Sequence, residues 1–469
     1  MFESVRSPEE LGLSSKVLLQ YLDEVKKRGL LMHSMMILKD GKLAARLEWK
    51  PYDTKTPHML FSLSKSFTSL AAGFCVAEGL FAYDTPILKL LPDKAPAEPS
   101  EWLRQITIHD LLCMGSGLDE KSDFHKTKDW AREALSYPVR HKPGTHFHYN
   151  SHGTYLVSAA VQRVTGMTVR DYLMPRLFTP LGIEQPHWDS CPQGVNCGGW
   201  GLHLSCESIA KFGQLLLQHG MWEGARILPE GWVETATSYK IANDGGPPDP
   251  NNEWAQGYCY QFWRTRGNRY RGDGMYGQVC MVDEARGMVI AATAGVRDMG
   301  MEFQAMHDFV FPALGAKPGT EADQQALRRR IAELEYPFPR DEGVGPLPEG
   351  IYVTQDGKES VTFKYRKDGA LRLMGRVKRD RANGLFGPGK PVETLLRATP
   401  FSSLRQPMIA AWGREKGKLH VVARMPQAPF ILDALYTLQG DTLVAQIDSL
   451  EEPPREVRYV RKETEPGRG

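Results

Sequence analysis

The stretch from Leu60 to Leu80 places the strongest constraint on how this chain can fold. It begins Leu-Phe-Ser-Leu-Ser-Lys-Ser-Phe and continues as a mainly apolar run to Leu80. A run this apolar does not suit a surface helix, so the pattern predicts a helix that is buried on most of its sides. A buried helix seldom begins with a hydroxyl and an amine unless both are used, so Ser62 and Lys65 are predicted to be functional residues.

Ser62 and Lys65 have the spacing of a nucleophile and its base. They are three residues apart, so they share one face of the first helical turn. The free N–H groups and the positive dipole at that end of a helix favour developing negative charge. A buried lysine loses its proton more easily than an exposed one, and a neutral amine can take the proton of a neighbouring serine.

A second Ser-x-x-Lys sequence, from Ser208 to Lys211, shows that this spacing alone is weak evidence. The second copy lies inside a predicted helix that follows Ser205, and motifs of this length recur by chance. We interpret it as ordinary surface. The assignment of Ser62 as a nucleophile therefore depends on the rest of the chain.

Composition and charge exclude several classes of function. The 469 residues are 41% hydrophobic and 24% charged, which is typical of a soluble chain with room for two domains. The net charge of +2 gives no electrostatic reason to expect binding to nucleic acid or an anionic membrane, and no apolar run has the length of a membrane span. The expected partner is a small-molecule substrate, and nothing in the composition indicates an oligomeric state.

The cellular setting is predicted from the start of the chain and from its cysteines. The first ten residues lack the basic and apolar regions of a secretion signal. The seven cysteines are odd in number and several lie in apolar runs, which favours free buried thiols over disulfides. We therefore expect a reducing, cytoplasmic setting.

The strand and helix patterns predict an α/β (α+β) fold, in which helices flank an antiparallel sheet. Asp40-Gly41 lies between two alternating segments and indicates a hairpin. The region from about Tyr83 to Leu181 is mainly helical in pattern and predicts a helical subdomain. Three later strands are predicted at Gly257–Trp263, Gly277–Val282 and Met288–Thr293. Strands from both ends of the region, with helices between them, indicate one sheet covered by helices.

Changes in composition divide the chain into a large domain and a small one. The large domain is predicted over residues 1–320, followed by a linker at 321–349 that is rich in Pro, Gly and charge and contains a short helix. Short alternating segments punctuated by Asp-Gly turns predict a small antiparallel β domain at 350–462. The last residues, 463–469, are expected to be disordered.

Three motifs occur in a fixed order, at Phe61–Lys65, Pro143–Ser151 and Arg271–Gln278. Together they resemble the serine β-lactamase and penicillin-recognising superfamily, most closely its class C branch and the related esterases, amidases and D-aminopeptidases. The similarity covers about residues 7–315, and the trailing β domain is similar to one appended in many such hydrolases. The resemblance implies a β-lactamase/transpeptidase-like fold and a serine hydrolase that acts through an acyl-enzyme, without a cofactor or metal.

The resemblance also implies a role for each matched residue. Ser62 would attack the substrate carbonyl and Lys65 would accept its proton. Tyr149 would pass a proton to the leaving group and later activate water, and its position between a lysine and a serine would stabilise its anionic form. The backbone N–H groups of Ser62 and Met275 would form the oxyanion hole. The implied substrate-binding residues are Asn150, Ser151, Gly272, Asp273 and Gly274.

Two departures from the family pattern bear on the substrate. The second motif is usually Tyr-x-Asn, but here Ser151 occupies the asparagine position. The third motif usually begins with Lys or His, whereas Gly272 stands there, and the adjacent Arg271 would point to the opposite face of a strand. A carboxylate on the substrate would lack a cation and Asp273 would repel it, so an uncharged ester or amide is predicted. β-Lactamase or D-aminopeptidase activity on carboxylate-bearing substrates is the alternative.

Two further hypotheses come from other classes of function. A histidine cluster in the second-motif region could bind a metal for hydrolysis, since zinc sites use such pairs with a third ligand from elsewhere. Its members are His141, His146, His148 and His152. The chain could also be a binding module without catalysis, because a fold does not imply a function. The complete set of Ser62, Lys65 and Tyr149 argues against that last hypothesis.

Overall fold

A computed structural model describes residues 2–120, 126–243, 249, 251–377, 380–397 and 404–462. The tail at 463–469, which the sequence predicts to be disordered, lies outside the described residues. The chain divides into two compact units, the first ending at Leu334 and the second beginning at Glu335.

The first unit is built around a six-stranded antiparallel sheet with the strand order β2-β1-β11-β10-β9-β8. The strands described in this unit are β1 (Met32–Lys39), β2 (Lys42–Glu48), β3 (His58–Met59), β4 (His187–Trp188), β5 (Leu202–Leu204), β6 (Met221–Trp222), β7 (Ala225–Arg226), β8 (Trp263–Thr265), β9 (Arg269–Gly274), β10 (Gln278–Asp283) and β11 (Met288–Ala294). The hairpin β1–β2 pairs with β11, so the two ends of the unit meet at the centre of the sheet. This arrangement confirms the predicted antiparallel sheet.

Helices cover this sheet, and several of them lie in the chain segment between β2 and β8 that joins the two parts of the sheet. Those described are α1 (Ser15–Lys27), α2 (Ser64–Ala77), α3 (Ile87–Leu90), α4 (Glu101–Gln105), α5 (Ile108–Leu112), α6 (Trp130–Leu135), α7 (Ser151–Thr165), α8 (Val169–Leu173), α9 (Cys206–Leu217), α10 (Trp232–Thr237), α11 (Met299–Ala305), α12 (Phe311–Ala313) and α13 (Glu321–Ala332). No described helix has the length and hydropathy needed to cross a membrane.

The predicted buried helix is α2, and most of its residues are inaccessible to solvent. The ring of Phe67 stacks on Phe212 of α9, with 4.2 Å between the ring centroids. Gly73 lets another helix approach closely, because a Cβ atom there would lie 2.1 Å from the indole nitrogen of Trp232. Contacts on several sides therefore hold α2 in place, and with it the turn that precedes it.

One predicted strand, Gly257–Trp263, is wrong. The segment forms a loop, and only its last residue, Trp263, begins a strand. The backbone enters the left-handed region at Gly257 (φ 97°) and at Gln261 (φ 64°), which interrupts an extended conformation. The aromatic residues that suggested a strand, Tyr258, Tyr260 and Phe262, are instead buried as loop side chains.

The linker predicted at 321–349 begins inside the first unit, which ends at Leu334. Helix α13, which was expected inside it, packs against α1 in the first unit. Arg330 forms an ion pair with Asp23 of α1 (2.9 Å), and Leu327 is buried. Thr320 caps the helix by accepting a hydrogen bond from the backbone N–H of Asp323. The charged surface of α13 made the helix resemble a linker, although one face of it is buried.

The second unit is a barrel-like antiparallel β domain. Its described strands are β12 (Gly350–Val353), β13 (Glu359–Tyr365), β14 (Leu371–Val377), β15 (Asp380–Pro388), β16 (Val392–Arg397), β17 (Arg405–Glu415), β18 (Lys418–Arg424), β19 (Ile431–Gln439), β20 (Thr442–Ser449) and β21 (Glu452–Arg461). A parallel pairing between β15 and β17, with Gly387 opposite Ala411, closes the sheet on itself. Closure reduces the exposed strand edges, which would otherwise be open to pairing with other chains, and leaves β16 paired on one side.

Candidate active site

Ser62 lies in a strained turn of 3-10 helix immediately before α2. Its neighbour Phe61 has a φ of 47°, a left-handed conformation that is costly for a bulky side chain. The Ser64 hydroxyl stabilises this turn by donating a hydrogen bond to the Phe61 carbonyl (2.6 Å) and accepting one from the backbone N–H of Leu202 (3.1 Å). The Ser62 side chain stays partly exposed, so a substrate can reach it.

Lys65 is buried beneath Ser62 and is placed to act as its base. Its Nζ lies 3.0 Å from the Ser62 hydroxyl and 3.1 Å from the Ser151 hydroxyl, and it donates to the Gly199 carbonyl (2.8 Å). Burial lowers the pKa of Lys65 to about 7, while the Glu120 and Asp273 carboxylates act in the opposite direction. A neutral amine has two N–H donors, for Gly199 and Ser151, and a lone pair for the Ser62 proton.

The loop around Gly199 is a part of the site that the sequence analysis missed. A Cβ atom at Gly199 would lie 3.0 Å from the Ser151 carbonyl oxygen, so the loop packs directly against the start of α7. The next strand, β5, accepts a hydrogen bond from Leu60 at the Leu202 carbonyl (2.9 Å). The three glycines at positions 198, 199 and 201 were the available signal, because such a run allows backbone to approach other groups closely.

Tyr149 lies beside Lys65 but presents the face of its ring to the amine. The Lys65 Nζ is 4.7 Å from the ring centroid, and the ring stacks on Trp263 with 5.4 Å between centroids. Burial raises the pKa of Tyr149 above its usual value and Asp273 adds to this, while a hydrogen bond with Ser62 opposes it. The expectation that the site stabilises an anionic tyrosine is therefore corrected: the group stays a phenol.

The two residues after Tyr149 have different roles. Asn150 is buried and caps α7: its side chain accepts a hydrogen bond from Gly153 N–H (2.9 Å) and donates to the Leu118 carbonyl (3.0 Å). These bonds occupy the amide, which corrects the expectation that Asn150 binds substrate. Ser151 faces Lys65, and its hydroxyl oxygen lies 3.1 Å from the lysine Nζ.

Glu120 is a second site residue that no sequence motif indicated. Its Oε1 accepts a hydrogen bond from the backbone N–H of Ser151 (3.2 Å) and lies 3.6 Å from Nε2 of His152. Burial raises the pKa of Glu120, opposed by the Ser151 hydrogen bond and the charge of Lys65. A single acidic residue in a loop carries no pattern, so only the folded arrangement shows its proximity to Lys65.

The glycines of the third motif let β9 pack directly on the turn that carries Ser62. A Cβ atom at Gly272 would lie 2.5 Å from the Ser66 hydroxyl, and one at Gly274 would lie 2.0 Å from the Leu60 carbonyl oxygen. This contact brings the next backbone N–H, that of Met275, alongside the turn that carries Ser62. The Met275 side chain is exposed, so this residue can contribute to the site through its backbone.

The other face of β9 carries a buried charge cluster. Arg271 is fully buried and donates to Glu253 (2.8 Å) and to Asp273 (2.7 Å). The guanidinium also lies over the rings of Trp254 (4.6 Å) and Phe303 (4.4 Å). Two carboxylates engage this cation, so it does not replace the lysine or histidine that the third motif lacks.

Glu302 lies beneath the turn that follows β9. The residue is completely buried, and a Cβ atom at Gly277 would lie 2.5 Å from its Oε2. Among the described residues, neither carboxyl oxygen of Glu302 has a hydrogen-bond partner. Burial raises the pKa of Glu302 to about 8, with a further contribution from Asp273.

Replacing Glu302 with glutamine is expected to stabilise the protein in alkaline solution. The folded pKa of about 8 exceeds the unfolded value, so the folded state holds the proton more tightly and the free energy of unfolding falls as pH rises between these values. The variant should gain on the order of 5 kcal/mol above about pH 8, and little near pH 4. Thermal unfolding at both pH values measures this, with the exposed Glu223→Gln as control. An equal shift at both pH values would contradict the role of ionisation.

The second Ser-x-x-Lys copy differs from the expected surface segment. Ser208 is in the first turn of α9 and is buried, with its hydroxyl 2.9 Å from that of Ser205. Lys211 pairs with Glu207, with 3.8 Å between the charged atoms. The polar groups of this copy therefore pair with their own helix and its cap, and the expectation of ordinary surface is corrected.

The histidine hypothesis is also corrected. The His141 and His146 rings stack with 4.0 Å between their centroids, and His152 lies beside Glu120. Across the described residues, the loop histidines do not bring three potential metal ligands together. The group that does so is elsewhere and consists of His187, Asp189 and His203.

Comparisons with known proteins identify the family of this chain. A family model described as Beta-lactamase matches residues 20–314. The 6-aminohexanoate-dimer hydrolase of Paenarthrobacter ureafaciens is 25% identical over 280 residues, which are 55% of this chain and 71% of that protein. The lovastatin esterase of Penicillium rubens is 28% identical over 151 residues, which are 26% of this chain and only 37% of the esterase.

One similar solved structure extends over both units. It is the octameric penicillin-binding protein homologue from Pyrococcus abyssi, with a TM-score of 0.51 and 17% identity, covering 95% of this chain and 99% of that one. At this identity the likeness concerns the fold alone. The family match covers more than half of the chain and includes all three motifs. The chain therefore belongs to the β-lactamase family, and it is a serine hydrolase.

Proposed function

We propose that this protein hydrolyses a small, uncharged ester or amide through an acyl-enzyme formed on Ser62. The observation that carries the proposal is the 3.0 Å contact between Ser62 and a fully buried Lys65 whose pKa is lowered to about 7. The relatives named as a dimer hydrolase and an esterase support hydrolysis of an ester or amide. No cofactor takes part in the proposed chemistry.

Acylation begins with attack of the Ser62 oxygen on the substrate carbonyl carbon. As the C–O bond forms, the hydroxyl proton moves to the lone pair of Lys65, and the carbonyl π electrons move to the oxygen. The backbone N–H groups of Ser62 and Met275 are proposed to hold the resulting oxyanion. A helix start favours negative charge at this place, because its N–H groups and dipole point toward the oxyanion.

Collapse of the tetrahedral intermediate requires a proton on the leaving alcohol or amine. We assign this transfer to Tyr149: its phenol gives a proton to the leaving group and regains one from the Lys65 ammonium, so no tyrosinate accumulates. This assignment agrees with the raised pKa of Tyr149, which burial and Asp273 produce. Water then attacks the acyl carbon and gives a proton to the same pair of groups. Collapse of the second tetrahedral intermediate breaks the bond to the Ser62 oxygen, returns that proton to Ser62 and releases the carboxylic acid.

The pH dependence of the reaction tests the role of Lys65. Only the neutral amine can accept the Ser62 proton, so kcat/KM should increase with pH and level off above about 7, the pKa to which burial lowers Lys65. A profile measured with a neutral ester checks this. A rise in kcat/KM centred near pH 4 to 5 would instead indicate that a carboxylate is the base.

Glu120→Gln provides the matched variant for this profile. The Glu120 carboxylate stabilises the Lys65 ammonium, so replacing Glu120 should lower the pKa of Lys65. The rise in kcat/KM should then occur at lower pH. Exposed Glu223→Gln should leave the pH of this rise unchanged. A shift to higher pH in Glu120→Gln would contradict the electrostatic coupling.

The charges around β9 support a preference for uncharged substrates. Asp273 stands in the third motif, and Arg271 is engaged by Asp273 and Glu253. A side chain at Gly272 would collide with Ser66 and Leu63, so the family's cation has no room at that position. A substrate carboxylate would therefore be desolvated without a compensating charge, which costs binding free energy.

We expect kcat/KM for a neutral short-chain ester to exceed that for nitrocefin, a β-lactam with a carboxylate, by at least about 100-fold. Both substrates are measured with the same enzyme and buffer. Faster nitrocefin turnover would favour the alternative, β-lactamase or D-aminopeptidase activity on carboxylate-bearing substrates. In that case a large loss in Arg271→Ala would identify the cation.

The cellular setting is proposed on the cysteines. All seven are free and buried, which supports a reducing, cytoplasmic environment. The proposed partner is a small-molecule substrate rather than nucleic acid or a membrane.

A further inference from the structure

Three potential metal ligands converge on a small sheet outside the proposed catalytic group. Strands β4 and β5 are antiparallel, with His187 directly opposite His203. Asp189 comes two residues after His187, so in extended chain its side chain points to the same side. One ligand atom from each of the three residues lies within 4.8 Å of the other two.

We propose that His187, Asp189 and His203 bind a divalent transition-metal ion, with zinc as the best fit. Two imidazoles and one carboxylate form a set of three protein ligands, which zinc uses when its fourth position holds water. The ligand atoms of a tetrahedral zinc site are about 3.3 Å apart. Here Nε2 of His187 is 3.0 Å and Nε2 of His203 is 3.9 Å from the Asp189 carboxylate oxygens, so small shifts would complete the site.

The buried ring of His203, which lacks hydrogen bonds to the described residues, distinguishes these three residues from an ordinary hydrogen-bonded cluster. The residue is 1% exposed, and in the part of the chain that the structure describes neither of its ring nitrogens has a hydrogen-bond partner. Its 3.9 Å distance to Asp189 is too long for a hydrogen bond. A buried imidazole held 3.9 Å from its ionic partner, without a hydrogen bond, is poorly satisfied, and a metal ion between it and the carboxylate would satisfy both groups.

The surrounding backbone builds the site and leaves an entry to it. The backbone N–H of Asp189 donates to the Gly201 carbonyl (2.9 Å), and a Cβ atom at Gly201 would lie 2.9 Å from Cβ of Asp189. The indole N–H of Trp188 donates to the Trp200 carbonyl (2.9 Å). The His187 side chain is one-third exposed, so an ion can reach the two buried ligands and keep a water ligand.

The metal would have a structural role. The loop that closes on Asp189 at Gly201 also carries the Gly199 carbonyl, which accepts the hydrogen bond from Lys65. Strand β5 carries His203, and its Leu202 forms backbone hydrogen bonds with the turn that carries Ser62. A bound ion would therefore stabilise the backbone that positions Lys65, without taking part in proton transfer or attack.

Zinc binding to the full chain tests the proposal directly. Protein stripped with a chelator is titrated with Zn²⁺ alone in a calorimeter, and metal content after dialysis is measured by mass spectrometry. We expect one zinc per chain and a melting temperature that increases with zinc concentration. His187→Ala should weaken zinc affinity by at least about 100-fold. It is the preferred variant because its side chain is partly exposed and its loss should not prevent folding.

Further variants separate this site from the other histidines. Asp189→Asn keeps the shape of the side chain and should also weaken binding, and Co²⁺ should give a tetrahedral visible spectrum that both ligand variants lose. His146→Ala and the exposed His219→Ala should bind zinc as the parent protein does. Absence of zinc from the parent protein, unchanged affinity in His187→Ala or loss of zinc in His146→Ala would each overturn the proposal. These readouts do not depend on hydrolysis, so they are independent of the proposed function.

Discussion

Ser62→Ala is expected to lower kcat/KM for a neutral ester by at least about 10⁴-fold, because no acyl-enzyme can form without the nucleophile. The protein should still fold, since the Ser62 side chain is partly exposed and contributes little to the core. Mass spectrometry after a brief incubation with substrate should detect an acyl adduct on the parent protein alone. A fluorophosphonate probe should likewise label the parent and leave Ser62→Ala unlabelled.

Ser208→Ala is the matched control, because it changes the serine of the second copy. The Ser208 hydroxyl pairs with the hydroxyl of Ser205, the cap of α9, so its loss should cost some stability and leave kcat/KM nearly unchanged. Retained activity in Ser62→Ala together with lost activity in Ser208→Ala would show that the other copy is the nucleophile. A parent protein that reacts with neither probe nor substrate would support the binding-module hypothesis.

The features that the sequence predicted well are those encoded by local pattern. The hairpin at Asp40-Gly41 and the last two predicted strands, Gly277–Val282 and Met288–Thr293, follow from alternation and turn chemistry, and they form part of the sheet in the structure. The apolar run after Ser62 predicted a buried helix, and α2 is one. Ser62, Lys65 and Tyr149 come from distant motifs, and the folded chain brings them together.

The features that escaped prediction depend on tertiary contacts. The Gly199 carbonyl and Glu120 approach Lys65 only because a glycine loop and the segment between α5 and α6 meet there. The motif placed Asn150 next to Tyr149, but could not show that its amide would be used to cap a helix. The protonation state of Tyr149 likewise depends on the burial of its phenol and on Asp273.

The grouping of the three ligands of the proposed metal site has a similar explanation. His187 and His203 are sixteen residues apart, and only the pairing of β4 with β5 makes them neighbours. The sequence analysis instead considered a metal site at the histidines that are close together in the second-motif loop. Proximity along an irregular loop does not fix where side chains point, whereas register within a sheet does.

Lys65 and Tyr149 are expected to act as one proton relay, so their losses should be strongly non-additive. Lys65→Ala and Tyr149→Phe should each lower kcat/KM by about 10³-fold. The kcat/KM of the double variant should be within about tenfold of that of the less active single variant. Tyr149→Phe keeps the ring that stacks on Trp263, so the change is confined to the hydroxyl.

A second double-mutant cycle, combining Tyr149→Phe with Ser208→Ala, provides the control for this comparison. Ser208 belongs to α9 and pairs with Ser205 rather than with the relay, so the two effects should add. If Lys65→Ala and Tyr149→Phe also combined additively, to a loss of about 10⁶-fold, each group would act on a separate step. The transfer from Lys65 through Tyr149 to the leaving group would then be incorrect, although Ser62 would keep its role as nucleophile.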